Sequence, residues 1–136
     1  MKRTHWLTFT IALSAVSILS FGQSTTQSCT AAFLGNRMVV NEYSTTGKCV
    51  VPATSTGELS VQTVALSPKS VKALGKVPFK VAIRDKATKK LVPFSANQYR
   101  QVNIRNVLAK CQKGDHIVLM AIGNQYALPH NEILVQ

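Results

Sequence analysis

Val77 to Arg84 reads VPFKVAIR. Val77, Phe79, Val81 and Ile83 fall on one side of an extended chain, and Pro78, Lys80, Ala82 and Arg84 on the other. This is a strand with one apolar face and one polar face. Pro78 stands near its start, where a missing N–H does least harm. The charged stretch DKATKK (85–90) then reads as a hairpin connection, and LVPF (91–94) as the returning strand, which Pro93 marks as an edge or a bulge.

The pattern changes downstream. Ile104, Val107, Leu108 and Cys111 are spaced i, i+3, i+4 and i+7, the signature of one helical face. Asn103 suits the N-cap, Lys110 and Lys113 suit the C-terminal end, and Gly114 suits a left-handed stop. One short helix is predicted near 103–112. HIVLMAI (116–122) is predicted to be a central strand buried on both faces, Gly123-Asn124 a turn, and Ile133 to Val135 a terminal strand.

Upstream, LSVQTVAL (59–66) alternates and then slips phase, which predicts a strand with a bulge in its second half, stopped by SPKS (67–70). RMVVNEY (37–43) is expected to be a first strand, STTGK (44–48) a turn, and Cys49 to Val51 a short return before Pro52. Six or seven short strands with turns every ten to fifteen residues, plus one helix, predict a mainly β domain. The expected architecture is a small β-sandwich of Ig-like or Greek-key type, with an OB-like small barrel as the alternative.

The N-terminus reads as an address. Lys2 and Arg3 precede the uncharged run LTFTIALSAVSILSF (7–21), which is shorter than a bilayer requires. Ser20 and Gly22 are small residues at −3 and −1 of a cut before Gln23. Residues 1–22 are therefore expected to be a signal peptide, 23–30 a flexible Ser/Thr/Gln-rich lead-in, and 31–136 a single β domain that is periplasmic or secreted, with no transmembrane segment after cleavage.

Removing Lys2 and Arg3 leaves fourteen Lys and Arg against five Asp and Glu, a net charge of +9. The excess concentrates between Lys69 and Lys113. Lys80, Arg84, Lys86, Lys89 and Lys90, on one strand face and its adjoining turn, form the candidate interaction surface. Outside the cytoplasm such a potential favours anionic lipid headgroups, acidic glycans or an acidic protein face. Nucleic acid is set aside, because the region lacks aromatic interleaving and any nucleic-acid module.

Three cysteines, Cys29, Cys49 and Cys111, allow three pairings. Cys29–Cys49 is preferred, since it would pin the lead-in to the first hairpin, with Cys111 a buried apolar residue of the helix. No metal, cofactor or catalytic residue is assigned. His116 and His130 lack ligand spacing with any cysteine, and the five acids are scattered along the chain. The expected function is that of a non-enzymatic binding or structural module of the bacterial cell envelope, contacting a protein or an anionic surface through its basic face. The alternative is a small secreted hydrolase or inhibitor-like protein with a cryptic site around His116 or Cys111.

FKVAI (79–83), NVLAKCQKGD (106–115), HIVLMAI (116–122) and ILV (133–135) follow one another as an exposed strand, a polar hairpin, an amphipathic segment, a Lys-x-Gly-Asp turn and an apolar strand. Over roughly residues 60–136 this order resembles the C-terminal β-sandwich domain of the GldM proteins of gliding motility and type IX secretion. The resemblance implies a periplasmic protein-binding sandwich.

Overall fold

The computed structural model describes residues 27–136; the expected signal peptide (1–22) and the expected cut before Gln23 lie outside the described residues. The chain opens with β1 (Ser28–Leu34), turns at Gly35 into β2 (Arg37–Met38) and later forms β3 (Val50–Val51). Then come β4 (Glu58–Leu66), β5 (Val71–Val77), β6 (Phe79–Arg84), β7 (Leu91–Pro93) and β8 (Val102–Asn103). The helix α1 (Ile104–Leu108), β9 (His116–Ala121), β10 (Tyr126–Ala127) and β11 (Glu132–Val135) complete it.

Two sheets result, so the fold is a β-sandwich and not a single closed barrel. One sheet runs β10-β1-β4-β5, with β2 alongside β1 and β8 alongside β4; the other runs β3-β11-β9-β6-β7. Two parallel pairs, β1 with β10 and β3 with β11, interrupt an otherwise antiparallel arrangement. Between the sheets Ala32, Leu59, Val61 and Val77 of the first meet Val51, Phe79, Val81, Ile117, Leu119, Ile133 and Val135 of the second. The helix adds Ile104, Val107 and Leu108 to the same core.

The VPFKVAIR stretch is split by its proline. Val77 ends β5 in the first sheet, Phe79 begins β6 in the second, and both are buried. Pro78 cannot donate to either ladder; its carbonyl accepts from Ile122 N at 3.0 Å. The register of β4 against β5 shifts between Thr63 and Val64, in the second half of β4 where a bulge was expected, but the extra residue is Leu74 of β5 and not a residue of β4. Ordinary alternation along β4 puts Val64 on the side of its sheet away from Val61, in a second cluster with Ala31 and Phe33, against which Tyr43, Met38 and Cys29 pack.

Several expectations need correction. The strand β1 begins at Ser28, inside the stretch read as lead-in up to residue 30. Its polar residues are satisfied: the fully buried Thr30 donates from Oγ1 to Ala127 O at 2.8 Å. Of residues 37–43 only Arg37–Met38 is strand, with Val40 bridged singly to Cys49. VKALGKV (71–77) is a strand although Lys, Ala and Leu favour helices; its pairing with β4 overrides local preference. The helix is five residues long, not ten. Beyond it Lys110 N bonds to Val107 O and Cys111 N to Leu108 O, three residues back, so the last turns tighten. In β9 both faces are buried from Ile117 to Leu119, but Met120 is exposed.

Asp115 stitches two connections together. Its buried carboxylate accepts from Lys86 N at 3.0 Å and from Gln112 N at 2.8 Å, tying the β6–β7 turn to the turn that precedes β9. Removing it leaves two backbone donors without their acceptor. Asp115→Ala should therefore destabilise the domain by about 3 kcal/mol, measured by urea unfolding. A loss below about 1 kcal/mol would mean that water replaces the carboxylate.

Candidate functional site

The five basic residues singled out do not form one uniform ribbon. Arg84 is engaged: its Nε and Nη2 donate to the two carboxylate oxygens of Glu132 at 3.2 Å each. This is the one ion pair among the described residues, and its bidentate geometry ties β6 to β11 across β9. Lys86 is partly spent as well. Its Nζ donates to Lys113 O at 2.9 Å, and its stem lies against Gly114, where an added Cβ would come within 2.7 Å of it. Gly114 has φ +97°, a conformation suited to glycine.

Lys89 and Lys90 are exposed at the turn. The turn is held by Asp85, whose Oδ2 accepts from Ala87 N at 3.0 Å, Thr88 N at 2.8 Å and Thr88 Oγ1 at 3.0 Å. The Thr88 amide and hydroxyl hold the Asp85 carboxyl below its usual value. A depressed carboxyl contributes at neutral pH and loses its contribution as the pH falls through the folded value, so this cap persists into the acid range. Lys89 itself takes φ 63° to close the turn.

Lys80 stands apart, half-buried on the outward face of β6 opposite Met120. Beside it is a groove of about 400 Å³. Ala82 forms its floor, and Leu91, Pro93, Ala96 and Met120 its walls. Leu91, Val92 and Met120 are 45%, 54% and 37% exposed, three of the five large apolar side chains left open among the described residues. Sequence alternation missed this feature. Leu91-Val92-Pro93 is apolar on both faces, and alternation says nothing about how far an edge strand is covered. The run LVPF after a charged turn was the available signal.

The three thiols are free. Cys29 packs against the small outer cluster, whereas Cys49 and Cys111 pack against the main core. The expected Cys29–Cys49 bridge is absent from the structure, where the two residues pack against different clusters. Burial pushes the Cys49 thiol up to about 11, and burial followed by the Asp115 charge does the same to Cys111. Both shifts oppose thiolate formation, the reverse of what a nucleophile needs. The Cys111 sulfur points at Val107 O, 3.4 Å away.

The two histidines of the described residues lie in different segments. His116 opens β9 opposite Arg84 and Leu134. The His130 ring lies edge-on to Tyr43 at 5.1 Å, and its Nε2 is 2.7 Å from Ser44 O. A carbonyl only accepts, so Nε2 is the donor in this contact; Nδ1 is buried and has no hydrogen-bond partner among the described residues. This contact clamps the 41–47 loop to the segment before β11. Among the described residues no cluster of three or more His, Cys, Asp or Glu has the form of a metal site, and no helix is long and apolar enough to cross a membrane.

Comparison of the chain with protein-family models, with curated proteins and with solved structures finds no match.

The thiol chemistry is directly measurable. After denaturation without reductant, three alkylatable cysteines are expected by intact mass. In the native protein at pH 8, Cys49 and Cys111 should alkylate about a hundredfold more slowly than an unperturbed thiol. A mass deficit with a linked Cys29–Cys49 peptide would contradict this arrangement.

Proposed function

We propose that this chain is an exported, non-enzymatic binding module of the cell envelope, and that its basic face engages an acidic protein partner. One observation carries the proposal: four of the five acids are engaged by groups of the molecule itself, so the positive charge is left for a partner. Asp85 and Asp115 cap backbone amides, Glu42 accepts from Ser44 and Thr46, and Glu132 pairs with Arg84. Of the fourteen Lys and Arg that follow residue 22, Arg84 alone has an ion-pair partner among the described residues. Lys89 and Lys90 project at the β6–β7 turn, where such charge accelerates encounter with an anionic surface.

Export rests on the 1–22 segment, with Lys2 and Arg3 ahead of an uncharged run. The β-sandwich architecture is of the class that the resemblance to the C-terminal domain of GldM implies, and a protein ligand is the kind of partner that this resemblance suggests. An apolar groove beside the cations favours a protein over a purely anionic glycan, because it offers a place for an apolar side chain.

A Lys86→Glu/Lys89→Glu/Lys90→Glu variant tests the role of the basic face. It should fold, since Lys89 and Lys90 are exposed and the Lys86 amide bond to Asp115 is made by the backbone. Its retention on native envelope preparations at physiological salt should fall at least tenfold, with unchanged circular dichroism. Full retention would remove the basic face from the function.

A further inference from the structure

Among the described residues the strand β7 has one neighbour, β6, and its other side is an open sheet edge. In the pairing with β6, Phe94 N bonds to Val81 O and Asp85 N to Lys90 O. By strand alternation, residues 90, 92 and 94 spend their backbone groups inward. Leu91 and Pro93 therefore turn theirs outward. The free edge offers the Leu91 N–H, the Leu91 carbonyl and the Pro93 carbonyl, and proline supplies no second donor. Such an edge accepts a short strand and resists the long, regular pairing that drives aggregation.

The side chains around that edge are apolar on both faces. Leu91 and Pro93 border the groove over Ala82 with Met120, and Val92 lies on the opposite face, more than half exposed. A strand added to β7 would lie about 4.8 Å further out. One long apolar side chain from it could lean into the groove, and its neighbour would meet Val92.

Cations bracket the same strip. Lys90 precedes β7, and Lys80 flanks the groove. Lys110 sits at the far end, its Nζ 4.8 Å above the Phe94 ring and 3.4 Å from Phe94 O. A second copy of this chain would bring the same positive charge against itself, so the charge pattern selects an occupant that is apolar at its centre and acidic at its ends. We propose that β7 is a docking edge for an extended acidic–apolar peptide segment of a protein partner, bound by short strand addition with one apolar side chain in the groove. The site deepens the proposed function and rests on it for the identity of the partner as a protein.

The test is titration of the ¹⁵N-labelled protein with a synthetic peptide that has a Leu-Val-Leu centre flanked on each side by two glutamates. Amide shifts should concentrate at Leu91, Val92, Ala96 and Met120, and exchange of the Leu91 N–H should slow at least tenfold. Leu91→Glu, at an exposed position, should weaken binding at least tenfold, and Pro93→Val, which adds an outward N–H, should strengthen it. Three outcomes overturn the proposal: shifts limited to Lys86, Lys89 and Lys90; equal affinity for Pro93→Val and the parent; or the same Leu91 and Met120 shifts with phosphatidylglycerol vesicles and none with the peptide. If the peptide fails while the triple charge reversal still abolishes envelope retention, the docking edge falls and the basic face stands. If the peptide docks at β7 while the triple variant retains full envelope binding, the basic-face function falls and the edge stands.

Discussion

Pro78 is the hinge on which the two sheets depend. It interrupts one extended stretch, so that Val77 closes a strand of the first sheet while Phe79 opens a strand of the second. Both flanking side chains are buried in the shared core, and Phe79 is fully enclosed. A buried phenylalanine there contributes several kcal/mol, since truncating such a ring typically costs about 3–5 kcal/mol. The turn of the chain at this point also sets the order of the second sheet. With β6 laid between β9 and β7, the short strand that returns from the charged turn has no further strand beyond it among the described residues, and an edge is left beside a groove.

The electrostatic character follows from scarcity. Five acids serve a chain of this size, and most of them do structural tasks within it. Asp115 holds two turns together from a buried position, and Asp85 closes the β6–β7 turn. Glu132 neutralises Arg84 on the outer face of the second sheet. A carboxylate that satisfies backbone amides is fixed in place and offers little to distant lysines, which are screened beyond about 10 Å. The lysines at the turn are therefore left to the solvent or to a partner. The apolar strip beside them distinguishes this face from a generic solubilising surface, which would keep its large aliphatic side chains covered.

Much of the architecture was legible where one physical signal dominated. The alternation of β6, the phase slip of β4 and the apolar run of β9 each announced a strand, and Asn103 announced the start of α1, where its Oδ1 accepts from Arg105 N. The signal failed where tertiary pairing overrode local preference. The strand β5 is composed of residues that favour helices, and β1 begins among polar residues whose hydroxyls are satisfied only in the folded state, as Thr30 is by Ala127. The candidate surface was half legible. The cations were visible as a cluster, but the partner that Arg84 finds lies 48 positions away. The groove depends on which strand ends a sheet, and topology decides that through contacts far apart in sequence.

The most direct test of the central claim is crosslinking of the mature chain within the native envelope, with a reagent that joins lysines to carboxylates, followed by mapping of the linked peptides. The account predicts one reproducible protein partner, joined from Lys80, Lys89 or Lys90 to an acidic segment. Recovery of lipid or polysaccharide alone, released by salt, would contradict it and leave the basic face as an electrostatic anchor.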